Sequence, residues 1–412
     1  MWDVLAHPVY RRLFTAQVVA LVGTGLLTIA LGLLAYDIAG EDAGAVLGTA
    51  LAIKMVAYVV VAPVITAVTE RLPRRAVMVS ADAVRAVIAL MLPFIGSTWQ
   101  IYVLIFVLQA ASATFTPTFQ AVIPSVLTHT DDYTKGLSLS RLAYDLESLT
   151  SPAIAGALLL VISYNQLFVA TALGFLVSAA LVISTRLPRI TAAAENERLR
   201  TRITKGARVM VGHAPLRGLL ALNMVVATAT GLVVVNTVVY VRSLLGGVNA
   251  GVAMALAAYG GGSMLVALAM PRLLGRMSDR RVMMTGALLV VVGLVCTAIL
   301  LATSVSPVVG WVWLITAWTV IGAATSAIST PTARLLRDYS TESNRPAVFT
   351  AQFSLSHACF LVTYPLAGWV GAQVSQLTAA IILATLATLS AMAATRLWPA
   401  TYPRPIMAGV ER

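Results

Sequence analysis

Charge is scarce in this chain: Asp, Glu, Lys and Arg make up 11% of its 412 residues, where an ordinary soluble domain carries about 25%. So few charges cannot cover a water-facing surface, which excludes a soluble globular fold. Cysteine is scarcer still. Cys296 and Cys359 both fall in apolar runs and give neither a disulfide framework nor a CxxC metal site, so they read as small packing residues. Histidine forms no cluster, and with no cysteine pair a resident metal has no ligand set. No GxxxxGK[ST] phosphate loop is present, and no catalytic triad or zinc spacing supports an enzyme, so neither ATP use nor a cofactor is expected. The ten-residue alternation of a membrane β-barrel is also missing.

What the chain has in abundance is long hydrophobic runs. Hydrophobic residues make up 59% of it, in blocks long enough to cross a hydrocarbon core of about 30 Å. Lipid offers no hydrogen bonds to the backbone, so these blocks are helices. The pattern predicts an all-α membrane protein with spans near residues 14–37, 45–69, 76–95, 101–124, 137–162, 165–185, 215–241, 249–274, 282–302, 308–333, 347–371 and 376–397. The first begins close behind Arg11 and Arg12 like a signal peptide, but its length and the want of a small-residue cleavage site make it a retained helix. Of the 28 Lys and Arg, only Lys54 and Arg242 fall on the outer side of this layout. The net charge of +12 is therefore topological and does not imply nucleic acid. It puts both termini in the cytoplasm of a bacterial inner-membrane protein.

An internal repeat divides the chain. Ser112–Thr118 reads SATFTPT and Ser326–Thr332 reads SAISTPT, 214 residues on; Arg74-Arg75-Ala-Val-Met is answered by Arg280-Arg281-Val-Met, and SPAIAG at Ser151 by YPLAG at Tyr364. An offset near half the length means two parallel six-helix halves, residues 1–185 and 215–412. Between them, residues 186–214 form an amphipathic basic linker suited to anionic headgroups.

Twelve spans in two parallel halves, a basic loop after span 2 echoed after span 8, and a long central linker together resemble the major facilitator superfamily. Residues 67–86, AVTERLPRRAVMVSADAVRA, are similar to that family's loop between spans 2 and 3, with Thr66 in place of the usual Gly and Glu70 in place of the usual Asp. The pattern also resembles the bacterial exporter branch, with its siderophore exporters, macrolide effluxers and nickel-resistance permeases. In that branch span 1 often carries Gly-Asp, and here it carries Gly23-Thr24. Ser151-Pro152 through Gly156 resembles the antiporter motif of span 5, with Ser151 replacing a Gly. The resemblance implies a monomeric transporter of a small molecule, coupled to protons, alternating access by rocking its halves in the bilayer.

The rare intramembrane charges are the first candidates for function, because each costs at least ~2.5–3.5 kcal/mol near the bilayer centre. Span 5 carries Arg141, Asp145 and Glu147. Arg141 and Asp145 can pair on one face. Glu147 lies on another, with Tyr144 and Thr150 beside it, and leads the proton-coupling candidates ahead of Asp145 and His357; an ion pair with Lys54 or Arg141 is its structural alternative. His357 is otherwise a packing histidine or a ligand for a soft cation. Lys54, with Tyr58 four residues on, either snorkels outward or faces an anionic substrate. Glu70, Arg71, Arg74, Arg75, Asp82 and Arg85 make a candidate conformational latch, the basic pair otherwise serving topology alone. Gln17, Thr24, Thr28, Gln109, Asn223, Asn236 and Gln352 line a polar path or bond neighbouring helices for about 0.6 kcal/mol each. Trp318, with Tyr36, Tyr259 and Tyr364, offers aromatic surface. Pro117, Pro152, Pro331 and Pro365 recur at matched places and should bend their helices, and Gly260-Gly261-Gly262 should let helices approach. Aligned on Pro152 and Pro365, Glu147 falls opposite Phe360 and Tyr144 opposite His357.

The expected activity is export of a small molecule in exchange for protons. Siderophores, metallophores and divalent transition metals are alternative cargoes. A transporter-like receptor or a lipid scramblase is the reading without coupled flux.

Overall fold

A computed structural model describes residues 2–61, 72–127, 132, 136, 139–140, 143, 147, 150–151, 154–185, 199–303, 306–341 and 344–400. Among these residues the protein is helical throughout, and ten stretches are long and apolar enough to span a membrane. The first of them, Pro8–Val59, holds two spans. Span 1, Pro8–Ala39, stops at Gly40, whose φ of 56° suits a residue without Cβ, and Ala43 starts the next helix. Span 2, Ala43–Val56, runs into a π turn at Ala57–Val61. Spans 3, 4 and 6 are Arg74–Met91, Thr98–Val126 and Tyr164–Ile183. Spans 7 to 9 are Ala214–Val239, Asn249–Arg276 and Asp279–Ala302. Spans 10 to 12 are Pro307–Ser329, Arg345–Pro365 and Gln376–Leu397. Most of the fifth predicted span, with Arg141, Tyr144, Asp145 and Pro152, lies outside the described residues, as do Glu70, Arg71 and residues 186–198 of the linker. The rest of the linker is a helix, Leu199–Gly212.

Serine starts the helices. Ser97, Ser163, Ser278, Ser306 and Ser375 all sit at N-cap positions in extended backbone. At Ser97 and Ser163 the Gln three residues on closes a capping box, accepting from the cap N–H at 3.1 and 2.9 Å.

Two compact units emerge: Met1–Glu195 with Val238–Ala257, and Asn196–Thr237 with Ala258–Arg412. The duplication read from the sequence is visible in their hydrogen bonds. In the first unit Ser140 Oγ donates to Gln17 Oε1 at 2.8 Å. In the second, Asn223 and Gln352, which stand 206 and 212 residues further on, exchange two amide hydrogen bonds at 3.1 and 2.9 Å. Both clasps join the first span of a unit to its fifth. Basic residues at the start of the third span also serve both units alike. Arg75, helped by Arg12, donates to the last carbonyls of span 6, Ile183 and Ser184, while Arg280 Nε donates to Trp398 O at 2.7 Å beyond span 12. Cations at helix C-termini satisfy otherwise unpaired carbonyls and favour the helix dipole.

The matched prolines act differently. Pro331 ends span 10, and a separate helix, Thr332–Asp338, follows, whereas span 4 runs through Pro117 unbroken. Pro365 ends the α-helical part of span 11, which continues as a π turn, Leu366–Val370. Matched contacts also correct the register. Gly25 packs on Ser151 as Gly231 packs on Thr363, again at offsets of 206 and 212. Tyr364 is thus one residue extra before the proline, and the wider π turn beside it has room for an insertion. On this register Glu147 stands opposite Cys359 and Asp145 opposite His357, one residue away from the pairing that the prolines suggested.

Candidate functional site

Spans 1, 2 and 5 bring the candidate residues of the first unit together. Span 1 presents Gly25 to span 5. A Cβ there would overlap the Ser151 side chain and come within 2.7 Å of Glu147 Oε1. The bare backbone of Gly25 is therefore what admits the Glu147 carboxylate and Ser151, whose hydroxyl points to Glu147 Oε1 at 3.5 Å. Small residues in membrane helices commonly serve such close approach. Lys54 lies in the last α-helical turn of span 2, with Nζ 5.8 Å from the Tyr58 ring centroid; Tyr58 itself is part of the π turn. The charges of Lys54 and Glu147 act on each other, and Tyr58 feels both Glu147 and Arg85. Lys54, Tyr58 and Glu147 are half-buried, as are Thr24 and Thr28 on span 1. Each of those threonines donates to the carbonyl four residues back, at 2.9 and 3.0 Å.

The candidate latch divides into two groups at different depths. Arg74 and Arg75 lie at the first turn of span 3, with Arg75 on the span 6 carbonyls. Asp82 and Arg85 lie about two and three turns further in, at about 1.5 Å per residue, and are 0% and 4% exposed. They pair with each other, and the Arg85 guanidinium lies between the rings of Phe115 and Phe175, at 4.6 and 4.4 Å from their centroids. Desolvated cation–π contacts are worth about 2 kcal/mol or more. Removing one member of a buried pair strands the other, at a cost of about 3–5 kcal/mol. Asp82→Ala should therefore lower the unfolding temperature of the purified protein markedly, and Asp82→Ala with Arg85→Met should recover most of the loss. A single variant as stable as the parent would remove the pair from the core's energetics.

Where spans 1 and 7 end and span 6 begins, a polar cluster forms that the sequence marked only through Arg242. Tyr164 OH donates to Asp37 Oδ2 at 2.5 Å, and Tyr36 OH shares a 3.0 Å hydrogen bond with Ser243 Oγ. Arg242 lies 4.8 Å from the Tyr36 ring centroid and bonds Asn249.

In the second unit the polar candidates are paired within the helices. Asn236 Nδ2 donates to Ala367 O at 3.1 Å, and the fully buried Trp318 donates its indole N–H to Thr237 Oγ1 at 2.7 Å. His357 is half-buried, with Nδ1 2.7 Å from Phe353 O and its ring 4.0 Å from that of Phe353. Gln109 in the first unit is buried, and its Oε1 has no hydrogen-bond partner among the described residues. Sequence reasoning missed Gly25 and the hydroxyl group around Tyr259. In that group Thr230 and Thr325 reach Tyr259 OH at 3.2 and 3.3 Å. The repeat could have found both, since Thr24-Gly25 recurs as Thr230-Gly231.

Comparison with known proteins agrees with this architecture. A family model of the Major Facilitator Superfamily matches residues 13–255 and again 219–407. Macrolide efflux protein A of Streptococcus pyogenes is 24% identical over 186 residues, 44% of this chain and 45% of that protein. The protein of the same name from Enterococcus faecalis is 25% identical over 138 residues, 32% of this chain and 42% of the relative. The chain thus spans less than half the length of these curated relatives. Among solved structures, the nucleoside transporter NupG superposes with a TM-score of 0.71 at 14% identity, covering 96% of this chain and all of that one. A D-xylose-proton symporter superposes at 0.70 with 11% identity, covering 95% of this chain and 98% of the other. At such identities the likeness is one of fold.

Proposed function

The chain belongs to the major facilitator superfamily, and from that premise we propose that it is a proton-coupled exporter of a small organic molecule in a bacterial inner membrane, with both termini cytoplasmic. One observation carries the reading. Glu147 is a half-buried carboxylate packed against span 1, admitted by Gly25 and within electrostatic reach of Lys54 on span 2. A carboxylate kept in such a place at the cost of an intramembrane charge is suited to exchanging protons during transport. The efflux relatives, matched over less than half their length, support export as the direction and macrolide-sized organic molecules as the first cargo to test. No resident metal or cofactor takes part, and the working unit is a monomer.

The test is flux in proteoliposomes holding the full chain, driven by an imposed pH gradient. The panel comprises a glycosylated macrolide, a catecholate siderophore and a divalent nickel salt. Uphill movement of the macrolide against proton flow supports the proposal. A pH gradient that drives none of the three overturns it and favours a receptor or a lipid scramblase.

Lys54 supports a second cargo class, carboxylate-bearing anions such as siderophores. A half-buried cation beside Tyr58 can hold an anionic group. Lys54→Met should then weaken binding of an anionic cargo by about tenfold or more, since a hydrogen bond to a charged group is worth roughly 1.5–3 kcal/mol. Unchanged affinity for anionic and uncharged probes alike would return Lys54 to snorkelling along span 2.

A further inference from the structure

On the corrected register the second unit holds Cys359 where the first holds Glu147. It keeps hydroxyls at the neighbouring places. Thr230 stands 206 residues after Thr24, and Thr363 stands 212 after Ser151. At this place Tyr259 of span 8 reaches Thr230 of span 7 at 3.2 Å and Thr325 of span 10 at 3.3 Å. Tyr364, the extra residue of span 11, is close enough for its phenol to interact electrostatically with that of Tyr259.

The backbone under Tyr259 is held firmly. A Cβ on Gly322 would collide with the Tyr259 carbonyl, and one on Gly262 with the Thr319 carbonyl, so spans 8 and 10 touch backbone to backbone at Tyr259 and one turn beyond it. Its hydrogen bonds are loose by contrast. Distances of 3.2 and 3.3 Å are long for O–H···O bonds, whose usual length is about 2.7–2.8 Å. The single Thr325 proton is shared between two acceptors, Gly322 O at 2.9 Å and Tyr259 OH at 3.3 Å, and between Tyr259 and Thr230 either hydroxyl can donate. Neither the Tyr259 proton nor its lone pairs are thus fully committed. Tyr259 and Thr230 are half-buried and Thr325 is buried. A rigid backbone carrying weakly committed hydroxyls, two of them partly accessible, is a poor structural clamp and a good exchangeable donor–acceptor set.

We propose that Tyr259, with Thr230 and Thr325, forms a binding site for the uncharged, oxygen-rich part of the transported molecule, its hydroxyl, ether or carbonyl groups. The inference rests on the transporter reading above and adds a substrate class to it. The fold supplies this wall by duplication, and divergence set charge in the first unit and neutral hydrogen bonding in the second.

Equilibrium binding to the purified full chain tests the site separately from transport. The probes are erythromycin, uridine and maltose, all rich in hydroxyl or ether oxygen, with tetraphenylphosphonium as an oxygen-free control. The parent should bind at least one oxygen-rich probe. Tyr259→Phe and the pair Thr230→Val with Thr325→Val should each raise its Kd about tenfold, as expected for one lost hydrogen bond near 1.4 kcal/mol. Any affinity for the control should not change. Failure of the parent to bind any oxygen-rich probe overturns the site, as does an unchanged Kd in Tyr259→Phe or an equal loss for the control. Binding that follows this pattern without proton-driven flux upholds the site and defeats the exporter reading instead.

Discussion

Glu147→Gln is expected to abolish transport driven by a pH gradient, with at least a hundredfold fall in uphill flux, while leaving folding and substrate exchange in place. Glutamine keeps the volume and the acceptor oxygen that Ser151 faces, so the packing against Gly25 survives. It loses the titratable site. Coupling requires that one group bind a proton on one side and release it on the other, and an amide does neither. The substitution also deprives Lys54 of the neighbouring negative charge, so binding of an anionic cargo should hold or tighten, not weaken. Three measurements separate coupling from collapse: the unfolding temperature, uphill flux under a pH gradient, and exchange of labelled substrate at equal pH on both sides. Lost uphill flux with exchange retained is the expected result. Normal uphill flux in Glu147→Gln would move proton coupling to another group, with Asp145 and His357 next in line.

The parts of this architecture that periodicity and composition control were legible in the sequence. Span positions follow from unbroken hydrophobic length, and where both ends are among the described residues most helices begin and end within a few residues of the expected bounds. Span 1 starts early, at Pro8 behind His7, because Arg11 and Arg12 ride on helix ends that hydropathy alone excludes, and span 11 leaves α-helical form at Pro365 for its π turn. Repeat logic was legible too. What sequence could not supply was depth and partnership. Asp82 and Arg85 were read with Glu70, Arg71, Arg74 and Arg75 as one latch on the cytoplasmic side, since all six cluster at a loop and the helix start behind it. Phe115 and Phe175, distant in sequence, turn Arg85 into a core residue. Trp318 was read as aromatic surface for a cargo or for the membrane interface; it is fully buried, with its indole N–H on Thr237, a partner on another span. Proline spacing misplaced the register of span 11 by one residue, because an inserted Tyr364 leaves the apolar pattern intact while shifting every later position. The π turns after Lys54, Arg242's own turn and the one after Pro365 carry no compositional signal at all.

Gly25→Ala should be nearly as damaging as loss of the carboxylate, and for a reason that a second substitution can expose. The added methyl would occupy the space of the Ser151 side chain and crowd Glu147 Oε1 at 2.7 Å. Those atoms belong to neighbouring spans, so span 5 must shift away from span 1 or Glu147 must turn off its present rotamer. Overpacking of this kind typically costs about 1–3 kcal/mol, which a twelve-span protein can tolerate in folding. A coupling site is less forgiving, because a displacement near 1 Å can cost about a hundredfold in rate. Gly25→Ala alone is thus expected to express and fold with uphill flux lowered about a hundredfold. Gly25→Ala combined with Ser151→Gly restores the space, since both the Ser151 hydroxyl and its Cβ are the colliding atoms, and should recover flux to within about tenfold of the parent. Ser151→Gly alone should be mild, because it removes only a 3.5 Å hydrogen bond to Glu147. The comparison discriminates the two roles that Gly25 can have. If the double variant is no better than Gly25→Ala, the glycine matters for the path of span 1 itself; recovery assigns it to the seam that positions Glu147.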